Sequence, residues 1–274
     1  MNGVLIVNKP KGKTSFDMIR DVRKEYGTKK VGHIGTLDPL AEGVLPVLIG
    51  ECTKLSDYLM NHDKEYIAEL KLEKRTSTGD SEGEIIEEKE VKKLNEEKII
   101  SVLNSFLGKT EQLPPMYSAI KINGKKLYDY ARNGEEEKVK ELIKPREIEI
   151  TEIVLLEFKK EENIIKYRVV CSKGTYIRVL CEDIAIKLGT CGYMKSLLRT
   201  RVGKFKIEDQ EKVIDIEDIL ENRIDIKNSD LSKLLNGVKL EVKESNGLYN
   251  IYCENKYIGI GEVSNNKLKR KIII

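Results

Sequence analysis

Apolar positions along the chain fall into short runs of two kinds. Gly3–Val7 is a compact apolar run and reads as a buried strand, closed by the loop Asn8-Lys9-Pro10-Lys11-Gly12. Ser15 is a candidate N-cap for a helix to about Lys24, with Phe16, Ile19 and Val22 on its apolar face. From Tyr66 to Leu72 every second residue is apolar, the period of a half-buried strand. Asn95 predicts the start of a helix carrying Ile99, Val102, Leu103 and Phe106 and stopping at Gly108. Ile148–Phe158 and Ile164–Cys171 read as two strands around the polar turn Glu161-Glu162-Asn163. Ile177, Leu180, Cys181, Ile184 and Leu188 then recur at helical spacing, and Gly189 closes that helix. Residues 207–230 form a charged connector with a short helix near Ile216–Leu220, and the last stretch alternates around Asn246-Gly247, a hairpin signal. Strands dominate and helices fall between them irregularly, which predicts an α+β fold rather than a doubly wound parallel sheet.

Composition narrows the function classes. Hydrophobic residues are 40% and charged residues 35% of the chain, as in a soluble globular protein, and the net charge is +3. That small sum hides an acidic stretch from Asp80 to Glu97 and a basic C-terminal stretch from Asn228, a separation suited to an anionic partner engaging selected surfaces. Five cysteines, an odd number with no CxxC spacing, are expected to be reduced and mostly buried, as in a cytoplasmic protein. Only His33 and His62 offer imidazoles, so no metal site is expected. No signal peptide or membrane span is expected either.

The chemistry concentrates in Val31-Gly-His-Ile-Gly-Thr-Leu-Asp-Pro-Leu-Ala-Glu-Gly-Val-Leu-Pro46. Asp38 is a lone carboxylate on a Gly- and Pro-punctuated loop. It suits a nucleophile or general base, but local chemistry alone favours a helix cap followed by Pro39 at the first helical position. Further on, Gln112–Arg132 interleaves basic residues with tyrosines, a pattern for phosphates and stacked bases, or for an ordinary charged surface.

The segment Gly32-His33-x-Gly35-x-Leu37-Asp38-Pro39-x-Ala41-x-Gly43-x-Leu45-Pro46 resembles the catalytic motif of the TruB-type tRNA pseudouridine-55 synthases. Five further segments resemble the same family in the same order: Lys9-Pro10-x-Gly12-x-Thr14-Ser15, Lys64-x-Tyr66, Arg75–Gly83, Gln112–Arg132 with Pro145-Arg146, and Lys173–Arg178 with Ser196–Phe205. The resemblance implies a mixed, mostly antiparallel sheet with a central cleft. It divides the chain into a catalytic domain over 1–226, with an RNA-gripping insertion at about 112–146, and a small PUA-like β module over 227–274. It implies that Asp38 is the catalytic aspartate and that Arg178 holds it ionised. Tyr66 stacks on the target uracil, Tyr176 and Leu197 line the same pocket, and His33 positions RNA. Lys9 is expected to brace the catalytic loop and to reach phosphate, and Lys121, Lys125, Lys126 and Arg132 to contact the RNA backbone. After Gly134 the chain departs from the family pattern, and the acidic residues 135–144 are expected to order on RNA.

The implied reaction isomerises uridine at position 55 of the tRNA T loop after the base leaves the stack. It is redox-neutral and calls for no cofactor. The expected enzyme is cytoplasmic and monomeric, takes the tRNA T arm as its partner, and needs no protein partner. Attack by Asp38 at C1′, attack at C6 and removal of the 2′ proton are all compatible with the sequence. A non-catalytic tRNA-binding or tRNA-folding module, a guide-RNA-dependent isomerase and, ranked last for want of a second carboxylate in a matching motif, a carbohydrate-processing enzyme built on one aspartate are the rival readings.

Overall fold

The computed structural model describes residues 1–274 as two large β-sheets and two small two-stranded ones, with helices packed beside them. The first sheet has ten strands, eight of which follow one path: Val213–Asp215, Gly3–Lys9, Glu42–Ile49, Gly192–Val202, Lys64–Leu72, Ile164–Cys171, Arg146–Lys159 and Gly108–Gln112. Val31–His33 and Phe205–Lys206 pair off this path. One junction in this sheet is parallel, between Glu42–Ile49 and Gly192–Val202, and it holds through only two positions, Leu198↔Glu42 and Arg199↔Gly43. All its other pairings are antiparallel. The mixed, mostly antiparallel α+β architecture expected from the sequence is therefore observed.

That short seam joins the two halves of the sheet and needs a glycine. Gly43 has φ +106°, and a Cβ there would lie 2.1 Å from the Arg199 carbonyl oxygen. Gly43→Ala is expected to destabilise the fold by more than about 3 kcal/mol, because the obstacle is backbone and the φ is strained for any L side chain. A denaturant-unfolding midpoint within error of wild type would show that the seam tolerates a methyl group.

Alternation predicted the central strand well: Lys64–Leu72 buries Lys64, Tyr66, Ala68, Leu70 and Leu72 in turn. Asn95 caps the helix Glu96–Asn104 as expected, accepting from the Lys98 N–H. That helix ends four residues before Gly108, which instead opens an edge strand. The first helix, Ser15–Glu25, differs in register from the sequence reading. Thr14 is its N-cap, locked in a capping box with Asp17, and the buried face is Met18, Ile19 and Val22. This turns Phe16 outward, 58% exposed.

The C-terminal hairpins also differ. Gly247 begins a strand, and the turns are Glu254-Asn255 and Asn265-Asn266, with positive φ at both residues of each. These are the two-residue connections that suit the twist of antiparallel strands, with Asn tolerating the left-handed conformation. They join Gly247–Cys253, Lys256–Ser264 and Lys267–Ile273 within a second sheet of five strands. That sheet begins at Arg223, whose strand runs parallel to Asn250–Cys253. Leu248, Ile260 and Ile272 pack in one cluster with Val4, Ile6, Val44 and Leu48, so the two sheets share a core. All five cysteines are buried and unpaired. No helix is long and apolar enough to cross a membrane.

Candidate active site and nucleic-acid interface

The loop between Val31–His33 and Glu42–Ile49 is anchored by Leu37, Leu40 and Ala41, all buried. Buried polar clasps fix it from three directions. The Ser15 hydroxyl accepts from the Leu37 N–H (2.9 Å) and donates to the Leu37 carbonyl (3.0 Å). The Lys9 ammonium donates to the carbonyls of Lys13 (2.6 Å), Pro10 (3.0 Å) and Pro39 (3.3 Å). Arg199 donates to the carbonyls of Val44 (2.7 Å), Gly35 (2.9 Å) and Thr36 (3.5 Å). Ser15, expected as a helix cap, thus serves the loop instead. Lys9 braces the loop as expected, but its reach to phosphate is corrected: it is wholly buried and its donors end on carbonyls.

No helix follows Asp38. It opens a turn closed by the Ala41 N–H on its own carbonyl (3.1 Å), which leaves the carboxylate free of any capping duty. Its side chain is 41% exposed, and Oδ2 lies 3.0 Å from Nε of Arg178. Arg178 sits in the first turn of the helix Ile177–Lys187 and is buried. Its Nη1 donates to the Thr78 carbonyl (3.0 Å) and its Nη2 to the Tyr117 carbonyl (2.7 Å). Asp80, also buried, stands 3.9 Å from Nε. Asp80 is itself held by the Thr78 hydroxyl and the Glu82 N–H. All three guanidinium nitrogens therefore have partners, and the aim at Asp38 is fixed. The approach of Tyr176 is fixed too, because the Gln112 amide exchanges two hydrogen bonds with its backbone.

Asp38, Tyr66, Tyr176, Arg178 and Leu197, distant in sequence, line one cavity of about 590 Å³. Burial pushes the Tyr66 phenol up from its usual value, and the neighbouring Arg199 opposes that rise. His33 does not line the cavity. Its Nδ1 is buried without a partner, and burial followed by the charge of Arg199 lowers its pKa, so the ring is neutral at pH 7.

Four residues of the site escaped sequence reading. Lys64 and Arg199 line the cavity, Asp80 backs Arg178, and Gln112 orients Tyr176. Each lies inside a segment already singled out. For Lys64 the signal was its place on the inward face of the alternating strand, two residues before Tyr66; for Arg199 it was its place two residues beyond Leu197.

The expected grip residues gather on one small unit. Lys121–Ile122 and Lys125–Lys126 form a hairpin that leads into the helix Leu127–Arg132. Leu127, Tyr130 and Val139 give it a core of its own. Lys121 is exposed without an ion-pair partner, while Lys125 bridges Glu135 at 2.6 Å. Lys126 reaches the Tyr128 hydroxyl at 2.8 Å, and the Arg132 guanidinium lies 5.3 Å from the Tyr128 ring centre. Glu135, held also by Lys138, has its carboxyl lowered to about 2. Glu136–Lys138 and Lys140–Leu142 form two short 3₁₀ turns, with Val139 buried between them.

Comparison with known proteins agrees with this geometry. Residues 23–177 match the profile of the TruB family pseudouridylate synthase (N terminal domain), and 178–241 match the tRNA pseudouridylate synthase B C-terminal domain. The tRNA pseudouridine synthase B of Mycoplasma mobile is 42% identical, covering 100% of this chain and 95% of that protein. The enzyme of the same name from Clostridium tetani is 43% identical over 96% of both chains. A solved Cbf5-Nop10-Gar1 complex contains a chain that superposes with a TM-score of 0.70 at 26% identity, covering 95% of this chain and 78% of that one.

Proposed function

The chain belongs to the TruB family of pseudouridylate synthases, and from that premise we propose that it converts uridine to pseudouridine in tRNA. The target is position 55 of the T loop, and Asp38 is the catalytic carboxylate acting on a base turned out of the stack. The observation that carries this reading is the Asp38–Arg178 pair at 3.0 Å, set in a cavity walled by Tyr66, Tyr176 and Leu197. The reaction breaks N1–C1′, turns the base and joins C5 to C1′. It needs an ionised carboxylate, a pocket that keeps the loose base from diffusing away, and a surface to receive an everted base. Attack at C1′, attack at C6 and 2′ proton removal all begin from the same anion, and Arg178 serves each by pairing with it and aiming it. Tyr66 and Leu197 supply apolar surface for the uracil ring.

Folded tRNA is gripped by the 112–146 insertion and by the small C-terminal sheet, in a monomer working in the cytoplasm without a protein partner. Lys121, Lys125, Lys126 and Arg132 track phosphates. The combined Lys121→Ala and Lys126→Ala variant is expected to weaken tRNA binding and to lower the slope of log affinity against log salt by about 1 to 2, with an unchanged rate at saturation. An unaltered salt slope would take the insertion off the phosphate backbone.

The test of the whole reading is a nucleotide-resolution map of pseudouridine in an unmodified tRNA transcript incubated with the protein. Pseudouridine at position 55 is expected. Its absence on intact tRNA, or its appearance only with an added guide RNA, would overturn the reading.

A further inference from the structure

The cavity contains a charge imbalance that the Asp38–Arg178 pair does not account for. Lys64 and Arg199 both line it, both are buried, and neither has a carboxylate within 4.0 Å. A buried cation without an anion costs several kcal/mol, so two of them facing one cavity point to negative charge that arrives with the substrate. Arg199 is 1% exposed, and each of its three guanidinium nitrogens donates to a backbone carbonyl, of Val44, Thr36 and Gly35. Lys64 differs. Its ammonium donates to the carbonyls of Met60 (3.0 Å) and His62, which uses two of its three N–H groups. The third has no partner in the protein, and Lys64 forms part of the cavity wall.

We propose that Lys64 is a catalytic residue whose free N–H stabilises the negative charge carried by the uracil ring during isomerisation, with Arg199 adding its field from below. This rests on the pseudouridine synthase reading given above. When N1–C1′ breaks, its electron pair stays on the base, and the resulting anion spreads over N1, O2 and O4. C5 then bonds to C1′ and releases its proton. Addition at C6 would likewise push charge onto O4. Every route therefore passes through an anionic ring, and no oxidant or co-reactant is consumed. A fixed donor in a desolvated pocket acts on such charge more strongly than water does.

Protonation is consistent with the role. Burial, then the charge of Arg199, lowers Lys64 to about 8, against opposing contributions from Cys171 and Asp63, while Lys173 adds to the lowering. At pH 7 the ammonium is mostly charged. Of the groups facing it, Cys171 is pushed up to about 11 and Tyr66 lies above its usual range.

The test is single-turnover conversion of unmodified tRNA by Lys64→Met and by Lys64→Gln, which retains a donor for the neighbouring carbonyls. A fall of about 10²-fold in rate, with tRNA Kd changed less than about twofold, is expected from both. With 5-fluorouridine at the target, the ring fluorine shares the stabilisation of the anion. The deficit in consuming the N-linked nucleoside should then shrink to roughly tenfold, whereas a purely structural defect would be equal on both substrates. The wild-type protein gives an independent reading: its rate at limiting protein should decline from about pH 8 upward as Lys64 loses its proton, and the variants should lack that limb. Rates within threefold of wild type, a loss confined to Kd (which would make Lys64 a phosphate contact), or a wild-type rate flat through pH 9 would each overturn the inference. Failure of the wild type to form any pseudouridine would instead sink the functional reading itself.

Discussion

Asp38→Asn is expected to reduce pseudouridine formation by at least about 10⁴-fold, the scale at which a catalytic carboxylate is lost elsewhere, while tRNA affinity stays within about threefold. The substitution keeps the shape of the side chain and removes only its charge. The turn at Asp38–Ala41 is closed by backbone, and the loop is clasped by Ser15, Lys9 and Arg199, none of which touches the carboxylate. The loop should therefore keep its conformation, and Arg178 should keep its bonds to the Thr78 and Tyr117 carbonyls. Release of tritium from 5-tritiated uridine at a normal rate by this variant would remove Asp38 from the chemistry. A large loss of affinity with normal turnover would make it an RNA-binding residue instead.

The contrast between what the sequence disclosed and what it concealed follows from how each feature is encoded. Lys64–Leu72 and Ile177–Lys187 were legible because one period runs through the whole element and nothing competes with it. Register at the ends was less legible. Thr14 and Ser15 are both good caps, and only the reciprocal bond between Thr14 and Asp17 decides between them. Asn246-Gly247 carries the stronger hairpin signal, yet the strands turn at Glu254-Asn255 and Asn265-Asn266, because pairing across the small sheet sets where the chain reverses. The family motifs brought Asp38, Tyr66, Tyr176, Arg178 and Leu197 to one cavity. What they could not disclose is the buried cations' geometry. Lysine and arginine side chains are mostly solvent-facing, and only the fold shows the donors of Lys9, Lys64 and Arg199 turned inward onto carbonyls.

Arg178→Ala is expected to lower the rate strongly and the stability to a smaller degree. Asp38 is 41% exposed, so water can solvate the carboxylate once its partner has gone, and the lost ion pair contributes little to folding. The carbonyls of Thr78 and Tyr117 lose their donors as well, at about 1 to 3 kcal/mol each where they remain buried. Those two losses, about 2 to 6 kcal/mol together, correspond to a thermal shift of about 4 to 15 °C in a chain of this size, while the rate falls about 10³-fold, because an unanchored carboxylate is misaimed. Arg178→Lys should recover little: one ammonium cannot occupy at once the positions from which Nε, Nη1 and Nη2 reach Asp38, Thr78 and Tyr117. The measurement is single-turnover kinetics at saturating protein together with tRNA Kd. If Arg178→Ala reacts at the wild-type rate, Asp38 needs no guanidinium. If Arg178→Lys restores the rate fully, charge alone suffices and the three-point anchoring is dispensable.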